Sequence, residues 1–202
     1  MIFKQQLPII LASGSPRRKE LLEQIKVSFE VLPIDIDESV AAGEAAESYV
    51  IRMARSKAEH AWNGKSVRLF ENYKRRALLS ADTCVVLNRQ ILGKPADEDE
   101  AITMLSKLSG NRHQVITAVA LHDAKGIQVI SATSEVTFAR LTQDEIQEYC
   151  QSGEGMDKAG GYAIQGVAAQ FVRAINGSYS GVVGLPLYET SRLLRTHFGS
   201  AL

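Results

Sequence analysis

Residues 7–22, LPIILASGSPRRKELL, join an apolar run to a small polar turn and a cationic segment. The apolar run ends at Ala12, and Pro16 follows a Ser-Gly-Ser turn, so the pattern predicts a buried strand, a tight turn and a helix. Ser15 is expected to cap this helix, because serine is favoured at the N-cap and proline at the first helical position. The rest of the chain is best interpreted outward from this strand–turn–helix unit.

Three cations, Arg17, Arg18 and Lys19, fall in the first turn of the predicted helix. A helix N-terminus carries partial positive charge and unpaired N–H groups, so cations there cost stability unless an anion lies among them. A phosphate group is the simplest such anion, since the helix start already offers it donors. The alternative is that the long side chains extend into water. For three cations behind a Ser-Gly-Ser turn we favour phosphate binding.

Composition limits the class of protein. The chain has 202 residues, of which 45% are hydrophobic, enough for one α/β domain or two small lobes with a substantial core. Lys plus Arg equals Asp plus Glu at 23 each, which argues against a nucleic-acid binder that works through bulk charge.

Cys84 and Cys150 are far apart and suggest no disulfide framework. With neither a signal peptide nor a membrane-spanning run in the sequence, we expect a cytoplasmic protein that does not bind a membrane.

Acidic residues mark two further segments. Residues 34–37 alternate Ile and Asp, which predicts a half-buried strand, and Glu38 follows in a loop. Such a cluster is usually a solvated strand end, and it gains interest only if it faces the cationic turn. Asp82 is the one charge in the strongest buried-strand candidate, residues 77–87. A carboxylate buried without a partner costs roughly several kcal/mol, so we expect a cation, a metal or hydrogen bonds beside it. A structural Asp that caps a local turn with Thr83 is the alternative.

A glycine-rich segment, residues 153–166 (GEGMDKAGGYAIQG), is the second informative stretch. It exposes backbone donors with little side-chain bulk. A flexible surface loop is one interpretation, but Met156, Tyr162 and Ile164 resemble anchors, so we predict an ordered loop that faces a ligand.

The remaining elements set the fold class. We expect a helix over residues 47–62 and a basic surface excursion over residues 63–76, held down by Leu69, Phe70 and Tyr73. A long hairpin is predicted over residues 114–140, and the Asn176-Gly177 pair predicts a second one. Early alternation of strands and helices with hairpins in the middle predicts an α/β fold. Its central mixed sheet is flanked by helices, with two lobes and a cleft.

With these residues in hand, the chain resembles the Maf family of nucleoside triphosphate pyrophosphatases nearly end to end. The order of its motifs carries the resemblance, and any single motif is weak. They are Ser13-Gly-Ser-Pro-Arg-Arg18, Lys57-Ala58, Ala81-Asp82-Thr83, Gly93-Lys94-Pro95, Leu108-Ser-Gly110, Thr117-Ala-Val119, Asp157-Lys-Ala-Gly160, Tyr162, Ile164-Gln-Gly166 and Val183-Gly-Leu-Pro186.

The resemblance implies a single domain over residues 1–202 with the elongated, two-lobed Maf/ITPase-like fold. It implies hydrolysis of a nucleoside triphosphate to the monophosphate and pyrophosphate with a divalent metal, Mg²⁺ or Mn²⁺, and a homodimer. It makes Asp82 the catalytic acidic residue, with Glu38 as its partner at the metal. The residues it implies for phosphate, metal or base contacts are Ser13, Arg17, Arg18, Glu38, Lys57, Thr83, Lys94 and Gln165.

Substrate choice follows from the same resemblance. The glycine-rich loop resembles the branch that acts on dTTP and UTP, whereas a sister branch acts on 7-methyl-GTP. A nucleotide-binding regulator of cell division would use the same pocket. Gly155 stands where Pro is common in the family, and Gly161 and Ala163 replace the more usual Ala and Gly around Tyr162. We expect these glycines to loosen the loop slightly, because ordering a glycine costs about 0.5–1 kcal/mol more conformational entropy than ordering an alanine.

Overall fold

The computed structural model describes residues 7–198 of the chain. Its strands form one sheet: β1 (Ile9–Leu11), β2 (Phe29–Val31), β3 (Leu78–Leu87), β4 (Gln90–Leu92), β5 (Arg112–Asp123), β6 (Gly126–Phe138) and β7 (Val172–Asn176). Its α-helices are α1 (Pro16–Gln24), α2 (Ala46–Asn63), α3 (Glu98–Leu108), α4 (Gln143–Gln151), α5 (Tyr179–Val183) and α6 (Leu187–Phe198). None of the helices within this range is both long and apolar enough to span a bilayer.

The sheet is mixed, which confirms the predicted fold class. Its order is β2-β1-β3-β5-β6-β7, with β4 added to β3. Strand β1 runs parallel to β2 and β3, whereas β3, β5, β6 and β7 pair antiparallel. The long hairpin predicted in the middle of the chain is β5 and β6.

One edge of β3 has a gap in its pairing. Strand β1 pairs with β3 at Leu78 and Leu79, and β4 pairs with the same edge from Val85 to Leu87. Between these two contacts, no strand of residues 7–198 pairs with this edge. Asp82 lies in the middle of the gap, so the sheet itself opens at the one charge in this strand.

Alternation along β3 divides the core between the two faces of the sheet. Leu79, Ala81 and Val85 face a layer built by α1, α3, α4 and α6. Leu78 and Val86 face α2, whose apolar side is buried as its periodicity predicts. Burying a Leu or Val side chain is worth about 1.5–3 kcal/mol, so both layers hold the central strand rigidly.

Two segments differ from the sequence-based expectation. Residues 34–37 form no strand; Ile34 and Ile36 pack on the α2 core while the intervening acids face water, so the alternation is satisfied by packing without a paired strand. The Asn176-Gly177 pair does not form a hairpin. Gly177 (φ +129°) instead leads into α5, which the Ser178 side chain caps by accepting a hydrogen bond from an amide N–H of the helix.

The basic excursion forms two short 3₁₀ turns, Ser66–Leu69 and Tyr73–Arg75. Leu69 was expected to anchor it but is 87% exposed, and Val67 is buried in its place. The segment ends at Arg76, which is buried and donates a 2.6 Å hydrogen bond to the carbonyl of Pro8. This cation therefore belongs to the structural core of the sheet edge.

Candidate active site

A cleft of about 430 Å³ lies over the gap in the edge of β3. It brings together every candidate site residue predicted from the sequence. Its lining includes Ser13, Arg17, Arg18, Glu38, Lys57, Asp82, Thr83, Lys94 and Gln165.

Lys57 joins the two predicted acidic residues at the centre of the cleft. Its ammonium Nζ donates to Asp82 Oδ1 at 2.6 Å and to Glu38 Oε1 at 2.5 Å. The side chains of Lys57 and Asp82 are only 9% and 8% exposed. Helix α2 delivers the cation and β3 delivers the acid, because both side chains point into the layer between that helix and the sheet. Lys57 is therefore buried in an ion pair, although lysine side chains are rarely buried.

The two carboxylates differ in their electrostatic setting. Burial raises the pKa of Asp82, and the positive charges of Lys57 and Arg18 only partly offset this. Burial alone would also raise the pKa of Glu38, but the hydrogen bonds and charges of Lys57 and Lys94 outweigh it and hold that pKa below its ordinary value. Lys94 Nζ lies 3.3 Å from Glu38 Oε2. The cleft thus holds one sheltered carboxylate that resists ionisation and one that favours it.

Ser15 occupies the N-cap position of α1, as predicted, but its side chain makes no capping bond, and the turn is organised by Ser13. Ser13 Oγ accepts the Ser15 N–H at 3.2 Å and Arg18 Nη1 at 3.0 Å, and Ser15 makes no side-chain cap. Arg18 Nε also donates to the carbonyl of Gly184 at 3.0 Å. Burial lowers the pKa of the Arg18 guanidinium below its ordinary value. Arg18 is therefore fixed in place beside the cleft.

Arg17 faces the glycine-rich loop across the cleft. Its Nη2 lies 4.0 Å from Asp157 Oδ2, and Asp157 also contacts Lys158. The loop is ordered around buried Tyr162 and Ile164, as predicted. Asp157 of this loop therefore lies within ion-pair distance of the cationic turn, with its side chain still 72% exposed.

The glycines that depart from the family pattern were expected to loosen this loop, and that expectation is wrong. Gly161 has φ +73°, the left-handed region that side chains rarely adopt. A Cβ built at Gly155 would lie 2.0 Å from the carbonyl oxygen of Gly161. Because this backbone leaves no space for a side chain at residue 155 and strains one at residue 161, both glycines fit the observed loop conformation.

The sequence analysis named Thr117 only as part of a family motif and gave it no role, whereas in the structure it supports Thr83 from the neighbouring strand. The hydroxyl oxygens of the two threonines are 2.9 Å apart, and Thr117 Oγ1 donates to the carbonyl of Gly181 at 2.8 Å. Thr117 is fully buried. The available signal was a lone hydroxyl within the apolar run VITAVAL of β5, but its partner lies in a distant segment.

The carboxylates of Glu38 and Asp82 offer oxygen ligands that fit a divalent cation. Among residues 7–198 no group of three or more His, Cys, Asp or Glu is arranged to hold a metal ion. Mg²⁺ needs no such cage, because it is usually bound by one or two carboxylates together with waters and substrate phosphates. Glu38 and Asp82 both reach the same Lys57 nitrogen and open on a cleft lined with cations, so two carboxylates can meet a metal–phosphate complex there.

The fold and the cleft define an α/β protein whose sheet opens on a site of paired carboxylates surrounded by lysine and arginine. Residues 8–197 match the family described as Maf-like protein. The chain belongs to this family.

Relatives of known name are similar over most of the chain. A dTTP/UTP pyrophosphatase from Pseudoalteromonas atlantica is 53% identical over 186 residues, 92% of this chain and 95% of the relative. One from Colwellia psychrerythraea is 52% identical over 188 residues, 92% and 86% of the two chains. A solved nucleoside-triphosphatase (dITP/XTP pyrophosphatase) from Mycobacterium abscessus is 15% identical, with a TM-score of 0.41 over 92% of this chain and 90% of that one.

Proposed function

We propose that this chain hydrolyses dTTP and UTP to the nucleoside monophosphate and pyrophosphate. Relatives about half identical to it bear that activity as their name, and its glycine-rich loop resembles their branch of the family. The single observation that carries the proposal is the Asp82–Lys57–Glu38 bridge, in which Asp82 and Lys57 are buried, located where the sheet opens on a cleft rich in cations.

The cations hold the triphosphate. Arg17, Arg18, Lys57 and Lys94 line one cavity, and a phosphate chain among them replaces the missing counter-charge at the start of α1. Arg18 is already fixed through the carbonyl of Gly184 and the hydroxyl of Ser13, so less side-chain entropy is lost when it binds.

Asp82 acts on the attacking water. The carboxylate orients or deprotonates a water molecule, which forms a bond to the α-phosphorus while the bond from that phosphorus to the bridging oxygen breaks. Lys57 fixes Oδ1 of Asp82, and a pKa raised by burial suits the carboxylate to accept a proton. Pyrophosphate leaves among the lysine and arginine side chains, so positioning and electrostatic stabilisation supply most of the catalysis.

Glu38 and Asp82 would hold a divalent metal, Mg²⁺ or Mn²⁺. When bound, the metal supplies charge neutralisation at the phosphate oxygens. Lys94 and Lys57 keep Glu38 ionised, which is the state that a metal ligand requires.

Gln165 and Thr83 contact the base. Both line the cleft, and the Gln165 amide can both donate to and accept from a pyrimidine edge. We expect Gln165→Ala to weaken the binding of dTTP more than the binding of CTP. Equal losses of affinity for the two nucleotides would remove Gln165 from base recognition.

A substrate panel tests the proposal. Pyrophosphate release is measured with dTTP, UTP, CTP and 7-methyl-GTP in the presence of Mg²⁺, for the wild type, Asp82→Asn and Asp37→Asn. Asp37 is the matched control, because it is exposed, pairs with Ser39 and lies outside the cleft. We expect dTTP and UTP to lead the panel, Asp82→Asn to lose turnover by about a hundredfold or more, and Asp37→Asn to keep it.

Each alternative gives its own result. Preference for 7-methyl-GTP assigns the chain to the sister branch. Tight binding of dTTP with negligible pyrophosphate release favours the nucleotide-binding regulator. Near-full activity of Asp82→Asn removes that carboxylate from the chemistry.

A further inference from the structure

We propose that Thr117 is a positioning residue which fixes Thr83 as a hydrogen-bond acceptor toward the substrate base, and so favours thymine and uracil over cytosine. The inference rests on the proposed function and names a determinant of its base choice. Thr117 lines no part of the cleft and acts only through its neighbour.

A count of protons fixes the direction of the hydrogen bonds. A threonine hydroxyl has one proton to donate and lone pairs that accept. The proton of Thr117 goes to the carbonyl of Gly181, because two oxygens 2.8 Å apart need a proton between them and a carbonyl has none to give. In the 2.9 Å contact between the two hydroxyls, Thr83 must therefore donate and Thr117 must accept.

The direction is locked by burial. Thr117 is fully buried and Gly181 is buried in α5, so water cannot replace either partner. Breaking this chain of hydrogen bonds would leave a buried carbonyl unpaired, which costs about 1–3 kcal/mol in proteins generally. Thr83 accordingly keeps its proton turned toward Thr117.

The remaining lone pairs of Thr83 Oγ1 are open to the cleft. Thr83 is partly exposed there, whereas Thr117 is not. Gly184 borders the same oxygen without a side chain; a Cβ built at Gly184 would lie 3.7 Å from Thr83 Oγ1. A substrate group that approaches this oxygen meets an acceptor that has no proton left to offer.

This arrangement distinguishes pyrimidines by chemistry. Uracil and thymine carry a proton on N3 and can donate it, whereas N3 of cytosine is itself an acceptor. A hydrogen-bond acceptor fixed on the protein opposite N3 gains a hydrogen bond from uracil or thymine. Opposite cytosine, the same acceptor meets the lone pair of N3 and gains no hydrogen bond there. Sites built to hydrogen-bond one group reject an analogue that lacks it, because a buried polar group is then left unpaired.

The test is the ratio of kcat/KM for UTP to kcat/KM for CTP in three proteins: the wild type, Thr117→Val and Thr117→Ser. Valine keeps the shape of threonine and removes the acceptor, so the Thr83 hydroxyl can turn its proton to the cleft and meet cytosine N3. We expect the ratio to fall about tenfold or more in Thr117→Val and to stay at the wild-type value in Thr117→Ser. Urea unfolding accompanies each measurement.

Loss of stability alone would not change a ratio of two substrates on one enzyme. If Thr117→Val does not fold, Thr83→Val replaces it, and we expect kcat/KM to fall for UTP but not for CTP. An unchanged ratio in folded Thr117→Val, or an equal fall in Thr117→Ser, overturns the inference while the proposed function stands. A wild type that releases pyrophosphate from neither dTTP nor UTP overturns both.

Discussion

Replacing Gly160 by alanine should damage the glycine-rich loop far more than the same change at Gly161. Both glycines have φ +73°, so each alanine meets the same left-handed backbone penalty of about 1–2 kcal/mol. Part of that penalty is offset, since alanine reduces the entropy of the unfolded chain by about 0.4–1 kcal/mol. A net loss of about 1 kcal/mol is therefore expected from the backbone at either position.

The difference comes from Val85. A Cβ at Gly160 would lie 2.9 Å from Val85 Cγ2 and 3.0 Å from Val85 Cβ, whereas a Cβ at Gly161 makes only ordinary contacts at 3.8 Å or more. Rotation of the valine cannot relieve the clash, because its Cβ is fixed to the buried strand β3. Overpacking of this kind costs about 1–3 kcal/mol, so the total for Gly160→Ala is about 2–4 kcal/mol.

The assay is equilibrium urea unfolding of the wild type and both variants, with KM for UTP measured alongside. Gly160 donates to the carbonyl of Gly93, next to Lys94 at the cleft, so the displaced loop should also raise KM in Gly160→Ala. Equal losses of stability in the two variants, within about 0.5 kcal/mol, would refute the steric argument.

Two further predictions concern buried charge. Lys57→Met should cost about 3–5 kcal/mol of stability at neutral pH, because Asp82 is left buried without its cation. Urea unfolding should show a smaller cost for the same change in an Asp82→Asn background. Near-wild-type stability of the Lys57→Met single variant would contradict the pairing. Burial lowers the pKa of His113 to about 4, so between about pH 6.5 and pH 4 only the unfolded chain takes up this proton. The free energy of unfolding therefore decreases as the pH is lowered through this range, by about 3 kcal/mol in full. In His113→Gln, unfolding followed across this range should lack that part of the pH slope; an unchanged slope would exclude His113 as its source.

Local sequence patterns predicted much of the candidate site, for physical reasons. A lone Asp in an apolar strand and cations at the start of a helix both violate a local preference, and such violations are visible without a structure. Asp82, Arg17 and Arg18 were found in this way and lie in one cleft. The sheet with its flanking helices followed from periodicity, which is also local.

Contacts between distant segments could not be predicted from such patterns. The bond from Thr117 to Gly181 depends on where α5 packs on β5, and the bridge from Lys57 to Glu38 depends on an irregular segment whose alternation had suggested a strand. The glycine-rich loop shows the same limit: its composition indicated looseness at Gly161, whereas the observed φ makes glycine the favoured residue. Torsion angles and register are settled by the whole fold.

The stretch of β3 between its contacts with β1 and β4, which is open on that one edge, also sets how wide the site can be. Strand β1 forms one rim of the site, where its pairing with β3 ends at Leu79, and β4 forms the other, where its pairing begins at Val85. A strand rises about 3.3 Å per residue, so the length of β3 alone sets these two rims about 20 Å apart. Exchanges of rim side chains can thus change which nucleotide is accepted without altering the aperture. A one-residue insertion within this stretch would widen it and, by reversing the alternation of one flank, turn either the acid or the β4 rim to the wrong face. Divergence among relatives should therefore proceed through substitution here and avoid changes in length.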